Sequence, residues 1–388
     1  MLLKTNGLHF DDRVRKESET LSSLGHTIKI LAHEEANIAQ QGESGGVFFK
    51  TLHLASVDFF AKSKGQIFKA IELFWWCFIE TLRTRPHTLW LHCREFFYFL
   101  PLAIGLRKIG LVERVIWDQH ELPRDRWLAT RIGRILMSYW ARKVDKLIFA
   151  NESRRKIVEG HLSIPPGKSV VLENRADLAF ATAAGEDLPA EVVSWLGSSR
   201  FFLAQGGAAP RRRFRELISA IGDLPWAKLI VIGGSAVEEI ERFREEYDWF
   251  DDRVLLVGMV PQFEIVGYLD RAVASIVLYE NCSDNNWLCA PNRMFQAAAR
   301  GTPLLVGANP PMAQFIERTG GGIVLSDDGG DSIGLARAIN HLFANEMVLR
   351  EQALRHRRDC RWEEQQEQLI EAIGEPRPEP DLISGIHA

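Results

Sequence analysis

The residues best suited to bind a charged substrate lie between Glu280 and Val306, in the stretch ENCSDNNWLCAPNRMFQAAARGTPLLV. A polar loop ends at Pro291, and a short helix is predicted next, because proline is favoured at the first helical position. The first N–H groups of a helix have no internal partner and, together with the helix dipole, attract an anion. Arg293 adds a positive charge there, and Gln296 lies one turn later on the same face. This pattern suits a diphosphate followed by a sugar ring; an ordinary helix start with a solvated arginine is the alternative.

A second candidate anion site follows a predicted strand that ends at Ala204. Gly206 and Gly207 form a turn in which the backbone can approach a phosphate closely, and Arg211-Arg212-Arg213 supply positive charge. An ordinary turn followed by a solvated arginine run has the same pattern. The turn is neither a dinucleotide fingerprint nor a Walker loop, which argues against hydride transfer and nucleotide hydrolysis.

A candidate acid–base group stands at the end of another strand, in the segment Trp117-Asp118-Gln119-His120-Glu121. Histidine beside carboxylates can transfer a proton or position a hydroxyl group, although a surface histidine has the same pattern. His26 and His92 lie beside or inside predicted strands and are interpreted as structural. Cys282 and Cys289 flank the polar loop, but no histidine at a suitable spacing indicates thiol chemistry.

The composition is that of a globular protein with room for two domains, since the chain has 388 residues and 46% of them are hydrophobic. Its 5 cysteines are scattered and odd in number, which argues against a disulfide framework or a structural zinc site and favours a reducing compartment. No basic and apolar leader is recognised. The longest apolar run, Phe96 to Leu106, is too short to span a bilayer. We therefore expect a cytoplasmic protein.

Charge divides the chain into a basic and an acidic half. Residues 1–175 contain 27 Lys and Arg against 19 Asp and Glu, whereas residues 176–388 contain 20 against 32. Two predicted helices of the basic half, 62–83 and 124–143, mix Lys and Arg with Trp and Phe, a pattern typical of contact with an anionic membrane surface. A core-facing apolar stripe with a solvated basic face is the alternative. No nucleic-acid-binding motif is present.

Predicted strands alternate with predicted helices in two successive runs, which indicates an α/β protein with two doubly wound sheets. An Ala-rich stretch, 176–186, separates the runs and is interpreted as a linker. Ligands of such sheets bind beyond the carboxyl ends of the strands. The glycine turns at Gly206, Gly233 and Gly258 are all predicted to lie at that edge.

The order of these motifs resembles family-4-type glycosyltransferases with the GT-B fold, in which two Rossmann-like domains face each other across a cleft. The resemblance extends over nearly the whole chain. It rests on short segments in the order that the family has: Asp12-Arg13-Val14 with Leu24-Gly25-His26, Trp117 to Glu121, Val144 to Ile148 with Leu172-Glu173-Asn174, Gln205-Gly206-Gly207 with Arg212, Val257 to Pro261, and Pro291 to Gln296 with Gly301-Thr302-Pro303.

The resemblance implies a division of the chain. Residues 1–175 would form an acceptor domain and residues 176–360 a nucleotide-sugar donor domain. Residues 361–374 would form a helix that crosses back to the first domain. The tail, 375–388, is rich in proline at its start and is expected to be disordered.

The resemblance also implies a reaction, the transfer of a hexosyl group from a nucleotide-diphosphate sugar to an acceptor hydroxyl with retention, without a cofactor or metal. His120 and Glu121 would face the reacting centre. The implied acceptor is a saccharide or a lipid-linked saccharide of bacterial-type surface polysaccharide or glycolipid synthesis, reached in the cytoplasm or at the inner face of the plasma membrane. The implied donor-binding residues are Gly206, Gly207, Arg212, Gly258, Val260, Ser283, Asn285, Asn286, Asn292, Arg293 and Gln296.

Three positions depart from the family pattern. Arg293 replaces a lysine and keeps the charge, whereas Gln296 replaces a glutamate and keeps only its length, so it accepts hydrogen bonds more weakly. Leu288 stands where many relatives have an acidic residue. These departures leave two other functions open, a catalytically inactive GT-B scaffold that binds a partner and a sugar-nucleotide epimerase on the same fold.

Overall fold

The computed structural model describes residues 1–4, 12–33, 41–56, 66–123 and 125–374. The predicted tail, 375–388, lies outside these residues. The chain divides into two compact units. Unit 1 comprises 1–150, 155–172 and the segment from 366 onward, and unit 2 comprises 151–154 and 173–365.

Unit 1 is built on an eight-stranded sheet with the order β3-β4-β2-β1-β5-β6-β7-β8, in which only β3 is antiparallel to its neighbour. Its strands are β1 (Leu2–Lys4), β2 (Ile28–His33), β3 (Gln41–Ser44), β4 (Val47–Leu52), β5 (Thr88–His92), β6 (Arg114–Gln119), β7 (Lys146–Phe149) and β8 (Ser169–Val171). Its helices are α1 (Asp12–Ser23), α2 (Gln66–Thr84), α3 (Leu100–Lys108), α4 (Asp125–Ala129), α5 (Arg131–Lys143) and α6 (Glu152–His161), the first residues of which belong to unit 2.

The central strands of unit 1 are nearly continuous apolar runs, such as Leu89 to Leu91, and they are buried. Parallel strands that are covered on both faces have this composition. The connections from β4 through β7 advance in one direction across the sheet, whereas the connection from β1 to β2 runs the other way. Because such crossovers are right-handed, α2, α3 and α5 lie on one face and α1 on the other.

Unit 2 is built on six parallel strands with the order β11-β10-β9-β12-β13-β14. They are β9 (Phe201–Gln205), β10 (Lys228–Ile232), β11 (Val254–Gly258), β12 (Ser275–Val277), β13 (Leu304–Val306) and β14 (Gly322–Val324). The helices of this unit are α7 (Leu178–Thr182), α8 (Ala190–Leu196), α9 (Phe214–Gly222), α10 (Val237–Glu246), α11 (Phe250–Arg253), α12 (Ile265–Arg271), α13 (Asp284–Trp287), α14 (Asn292–Arg300), α15 (Pro310–Thr319), α16 (Ser332–Ala344) and α17 (Glu346–His356). Two apolar clusters cover the two faces of the sheet, so both units have the predicted doubly wound α/β architecture.

Each sheet has a point where the strand order reverses, and loops diverge there to leave a crevice at the carboxyl ends of the strands. In unit 1 this point lies between β1 and β5, which end at Lys4 and His92. In unit 2 it lies between β9 and β12, beyond Gln205 and Val277. The two candidate anion sites of the sequence analysis are adjacent to this point in unit 2, and the candidate acid–base group follows β6, the neighbour of β5, in unit 1.

Several elements differ from the sequence-based boundaries. The helix predicted over 124–143 is interrupted, because the Thr130 hydroxyl accepts a hydrogen bond from the Gly133 N–H at 3.1 Å and caps a new helix. The predicted linker contains the short helix α7. The last helix, α18 (Gln366–Ile373), packs against β7 and β8 of unit 1. There Lys146 contacts Glu371 at 2.6 Å.

Among the described residues, no helix combines the length and the apolar character needed to cross a membrane.

The turns after β9 and β10 pack backbone against backbone. Gly207 has a φ of +75°, and a Cβ atom there would overlap the Gly234 carbonyl oxygen. We predict that Gly207→Ala lowers the free energy of unfolding by about 2 kcal/mol or more, because strained φ and steric overlap add. Gly234→Ala is the matched control, since its Cβ would enter open space, and it should change stability by less than about 1 kcal/mol. Equal denaturant midpoints for the two variants would contradict this packing.

Candidate functional site

Two arginines converge at the crevice of unit 2. The Cζ atom of Arg212 lies 3.7 Å from the centre of the Tyr279 ring, and the Cζ atom of Arg293 lies 4.6 Å from it. Arg293 also donates to the Gln205 carbonyl at the end of β9. Both guanidinium groups therefore gather around one aromatic ring, which attracts cations through its face. The structure thus brings together two residues that are 81 positions apart in the sequence.

No carboxylate pairs with either arginine among the described residues. The Nε and Nη2 atoms of Arg293 are buried and make no hydrogen bond there. Burial and the charge of Arg293 lower the pKa of Arg212 to about 10. Two uncompensated cations held this close favour the entry of an anion that carries more than one negative charge.

The neighbouring Arg213 is used differently. Its guanidinium contacts Asp328 at 2.6 Å, Glu216 at 3.2 Å and Glu280 at 3.8 Å. Its backbone is left-handed, with a φ of +53°, and it separates a 3-10 turn from α9. Of the predicted arginine run, Arg213 is therefore structural, whereas Arg212 is directed at the crevice.

Arg154 is a third arginine near this site, and the sequence analysis missed it. It donates from Nη2 to the Asn285 carbonyl at 2.8 Å, and Asn151 donates to the Leu288 carbonyl at 2.8 Å. Burial raises the pKa of the Cys289 thiol to about 11, while the charges of Arg154, Arg293 and Arg212 oppose this shift. All three arginines therefore act on the same thiol. The signal in the sequence was a run of three basic residues, Arg154-Arg155-Lys156, at the start of α6.

The glycine turns after β9 and β10 allow the backbone and the Arg293 side chain to approach each other closely. The N–H groups of Gly206 and Gly207 are engaged within the protein. Gly206 and Gly207 both donate to the Ile232 carbonyl, at 2.7 and 3.0 Å. Gly206 has a φ of +108°, and a Cβ atom there would overlap the Arg293 guanidinium. Gly258 closes the same edge, since its carbonyl accepts from the Gly233 N–H at 2.7 Å.

Helix α14 begins at the crevice at Asn292, one residue later than predicted, with Pro291 as its N-cap residue. Because no side chain caps it, its first N–H groups keep their capacity to bind an anion. Asn292 and Arg293 form the first turn, and Gln296 is buried one turn later. The side chain of Gln296 makes no hydrogen bond with the part of the chain that the structure describes.

The polar loop before α14 is more ordered than its sequence indicates. The Ser283 hydroxyl caps α13 by accepting from the Asn286 N–H at 3.3 Å. The Asn286 side chain donates to Cys282 Sγ at 3.1 Å. Of the three loop residues predicted to reach the donor sugar, Ser283 and Asn286 thus make contacts within the loop, and Asn285 supplies a carbonyl to Arg154. Val260, predicted to contact the base, packs against the apolar cluster of this unit.

A buried charged cluster occupies the crevice of unit 1. Arg13 contacts Glu17 at 2.9 Å and Asp118 at 3.1 Å, and it donates to the Leu172 carbonyl at 2.7 Å. The Nε2 atom of His92 lies 3.0 Å from Glu17 and 3.4 Å from Asp118. His92, which the sequence analysis interpreted as structural, is therefore part of a network that links α1, β5 and β6.

Burial and the neighbouring charges shift the pKa values of the residues in this network. Burial opposes charging of His92, but Glu17 and Asp118 outweigh it and raise its pKa to about 10. Glu17 is also buried, yet the charges of Arg13 and His92 lower its pKa. Burial and the charge of Glu17 raise the pKa of Asp118, against the effects of Arg13 and His92. Two cations thus face two acidic groups in a dry site.

His120 borders this network, whereas Glu121 points elsewhere. The Nδ1 atom of His120 lies 4.0 Å from Asp118 Oδ1, and its ring centre lies 4.9 Å from that of His92. Glu121 is more exposed and contacts Arg94 at 3.1 Å. The acidic neighbour of His120 is therefore Asp118, the residue two positions before it.

Comparison with solved structures finds proteins that share this architecture over nearly the whole chain. A sucrose-phosphate synthase from Thermosynechococcus elongatus has a TM-score of 0.75 at 15% identity, with 95% of this chain and 97% of that chain covered. A trehalose-6-phosphate protein from E. coli bound with UDP-2-fluoro glucose has a TM-score of 0.70 at 13% identity, with 97% and 100% covered. Anabaena HepE in complex with UDP and glucose has a TM-score of 0.64 at 12% identity, with 95% and 98% covered.

This chain has the GT-B fold. The resemblance to GT-B glycosyltransferases inferred from the sequence motifs is thereby confirmed at the level of the fold. Comparisons with protein-family profiles and with curated proteins find no match.

Within the GT-B fold of this protein, two groups of described side chains could hold a metal ion. One consists of His92, Cys93 and His120, and the other of Glu17, His92 and Asp118. The second group already has Arg13 as a cationic partner, which makes it poorly suited to a further cation. In unit 2, the three arginines at the crevice would repel a metal ion.

The raised pKa of His92 gives a prediction for stability. A group whose pKa is higher in the folded state contributes fully below its unfolded pKa of 6.5, and the contribution is lost as pH rises towards 10. We predict that the difference in unfolding free energy between the wild type and His92→Gln is largest near pH 6. It should shrink by up to about 1.4 kcal/mol per pH unit above pH 6.5.

The test compares the unfolding free energies of the wild type and His92→Gln at each pH, because Lys4 changes the stability of both proteins with pH in the direction opposite to His92. Burial lowers the pKa of Lys4 to about 8. The titration of Lys4 therefore increases the free energy of unfolding as pH rises from about 8. Denaturant unfolding at pH 6, 7.5 and 9 measures the difference. A constant difference over this range would show that His92 is uncharged in the folded protein.

Proposed function

We propose that this protein is a glycosyltransferase that moves a sugar from a nucleotide-diphosphate sugar to an acceptor hydroxyl. The observation that carries the proposal is the pair Arg212 and Arg293, which gather around Tyr279 at the crevice of unit 2 and have no carboxylate partner within the described ranges. The similar HepE structure holds UDP and glucose, and the E. coli structure holds UDP-2-fluoro glucose. A diphosphate is the group that two adjacent guanidinium groups and an uncapped helix N-terminus recognise together.

In the proposed reaction the bond between the anomeric carbon and the diphosphate oxygen breaks, and a bond to the acceptor oxygen forms with retention at the anomeric carbon. Negative charge develops on the leaving diphosphate. Arg212 and Arg293 stabilise this charge by electrostatics, so that no metal is required. The proton of the acceptor hydroxyl is transferred to His120 as the new bond forms. His120, with Asp118 beside it, is proposed to contact the reacting groups.

The acceptor is proposed to be a saccharide or a lipid-linked saccharide of surface polysaccharide or glycolipid synthesis, reached from the cytoplasm. The basic composition of the N-terminal half supports an acceptor that carries negative charge or lies at an anionic surface. The division into an acceptor domain and a donor domain is part of this proposal, with the buried charged cluster on the acceptor side.

Removal of either crevice arginine tests the donor site. We predict that Arg212→Ala and Arg293→Ala each weaken binding of the nucleoside diphosphate by about 10- to 100-fold, because a charge-assisted contact is lost. Arg211→Ala is the matched control, since Arg211 is exposed and adjacent in the chain. It should change the Kd by less than about twofold. Calorimetric titration measures all three, and unchanged affinity in both crevice variants would show that the donor site is misassigned.

A second prediction concerns His120. We expect His120→Ala to lower kcat by about 10²- to 10⁴-fold, the usual contribution of an acid–base group, while donor affinity stays within about twofold of the wild type. Glu121→Gln should have a smaller effect, because this carboxylate is exposed and engaged by Arg94. Donor turnover and donor binding are measured on the same preparations. If Glu121→Gln is the more damaging change, the roles proposed for the two residues are reversed.

A catalytically inactive GT-B scaffold is the second candidate, and Gln296 and Leu288 favour it. Gln296 cannot supply the carboxylate that would accept hydrogen bonds from ribose hydroxyl groups, and Leu288 lacks the acidic group that many relatives have at its position. Titration with a panel of nucleotide sugars distinguishes the two functions, since binding of none of them supports the scaffold. Conversion of a donor without any acceptor would instead indicate an epimerase. Each assay is repeated after chelation, and activity that survives supports a metal-independent transfer.

A further inference from the structure

Three helices on one face of the unit 1 sheet expose an unusual combination of side chains. They are α2, α3 and α5, and their outward residues form what we term the basic–aromatic face. Its exposed apolar members are Ile67, Phe68, Ile71, Trp75, Trp76, Leu102, Ile109, Ile132, Ile135, Leu136 and Tyr139. Its exposed cations are Arg83, Lys108, Arg131, Arg142 and Lys143.

The exposure is large at positions that follow the helical repeat. In α2, Ile67, Ile71 and Trp75 are spaced four residues apart and are 74%, 61% and 60% exposed. In α5, Ile132 and Ile135 are 72% and 58% exposed. The opposite sides of both helices supply buried residues to the unit, so these helices have an apolar side beyond the one that the core uses. Contiguous exposed apolar surface of this kind marks an interaction site.

The three helices form one continuous surface. Phe74 of α2 packs against Phe96 and Phe99, which immediately precede α3, at ring distances of 5.8 and 5.5 Å. Helix α3 in turn packs against α5. Because all three connect strands that advance in one direction across the sheet, they lie side by side on the same face.

The charges of the face are almost entirely positive. The three helices contain eight Lys and Arg but only two carboxylates, Glu72 and Glu80. Glu80 is buried and pairs with Lys29 and Lys50, and Glu72 accepts from the N–H groups of Ala55 and Ser56 at 2.8 and 2.9 Å. The surface therefore offers cations among aromatic and aliphatic groups, with both carboxylates engaged inside the unit.

We propose that the basic–aromatic face docks unit 1 onto an anionic lipid bilayer. Apolar and aromatic side chains would enter the headgroup boundary, and the cations would contact lipid phosphates, as in amphipathic helices that lie in a membrane surface. A protein partner that covered this face would leave the cations without counterions unless it were acidic. An anionic bilayer accommodates both the apolar side chains and the cations. This inference does not depend on the donor site, because lipid binding requires no nucleotide sugar.

The face also extends towards the carboxyl edge of the sheet. Exposed Tyr98 contacts Trp127 at a ring distance of 6.1 Å, and Trp127 contacts Phe97 at 4.5 Å. Phe97 lies 6.0 Å from Trp117 of β6, three residues before His120. An aromatic path thus joins the proposed docking face to the candidate acid–base group, which is where a lipid-linked acceptor would have to arrive.

Cosedimentation of the full chain with vesicles tests the proposal. We predict binding to vesicles of phosphatidylcholine with 30% phosphatidylglycerol, about tenfold or more above binding to pure phosphatidylcholine, and weakening in high salt. The double variants Ile132→Ser with Ile135→Ser, and Arg142→Gln with Lys143→Gln, should each reduce binding by about tenfold or more. Ile333→Ser with Met347→Ser is the matched control, since both residues are exposed apolar residues of unit 2.

The outcomes are distinct. Loss of vesicle binding in the face variants alone, with unchanged thermal unfolding and unchanged donor binding, supports the proposal. Equal binding by all variants overturns it, as does the absence of binding to anionic vesicles. Concentration-dependent dimers that the face variants abolish, in a protein that ignores vesicles, would show that a second copy covers this face and would also overturn it.

Discussion

The positive charge that gathers around Tyr279 is the constraint on which unit 2 depends. Two guanidinium groups that share one ring repel each other, and burial adds to the cost of keeping them charged. Two contacts offset part of this cost: Arg293 donates to the Gln205 carbonyl, and Arg212 lies on the face of the Tyr279 ring. A multivalent anion bound at this position would reduce the repulsion between the two guanidinium groups. The positive charge of Arg212 and Arg293 therefore favours an anionic ligand at this crevice.

The buried charges of the two crevices differ in how they are compensated. In unit 1, Arg13 and His92 are matched by Glu17 and Asp118, so the network is closed and the charges cancel within it. In unit 2, the nearby carboxylates pair with Arg213 instead, which leaves Arg212 and Arg293 without a carboxylate partner among the described residues. A balanced network fixes the geometry of the residues around it, as at His120, whereas an unbalanced one selects a ligand of opposite charge. One sheet edge is thus suited to positioning and the other to binding.

The sequence predicted the alternation of strands and helices well because apolar strand runs and glycine turns are local signals. It also indicated Arg293 and Arg212 as candidate anion-binding residues, since both follow recognisable turns. It could not decide which arginine of the run 211–213 faces the crevice, because that depends on the left-handed backbone of Arg213 and on Asp328, 115 positions away. Arg154 and Tyr279 were missed for a similar reason. Their importance arises from contacts between segments that are distant in the chain, and no local pattern encodes such contacts.

The departures at Gln296 and Leu288 are consistent with this electrostatic arrangement. Leu288 precedes Cys289, whose thiol lies in the field of three arginines. A carboxylate at that position would enter the same field and compete with a diphosphate for the guanidinium groups. In the proposed donor complex, neutral residues at these positions would leave the full positive charge to the diphosphate, while the ribose would lose its strongest hydrogen-bond acceptor. Affinity in such a site would come more from the phosphates than from the sugar of the nucleoside.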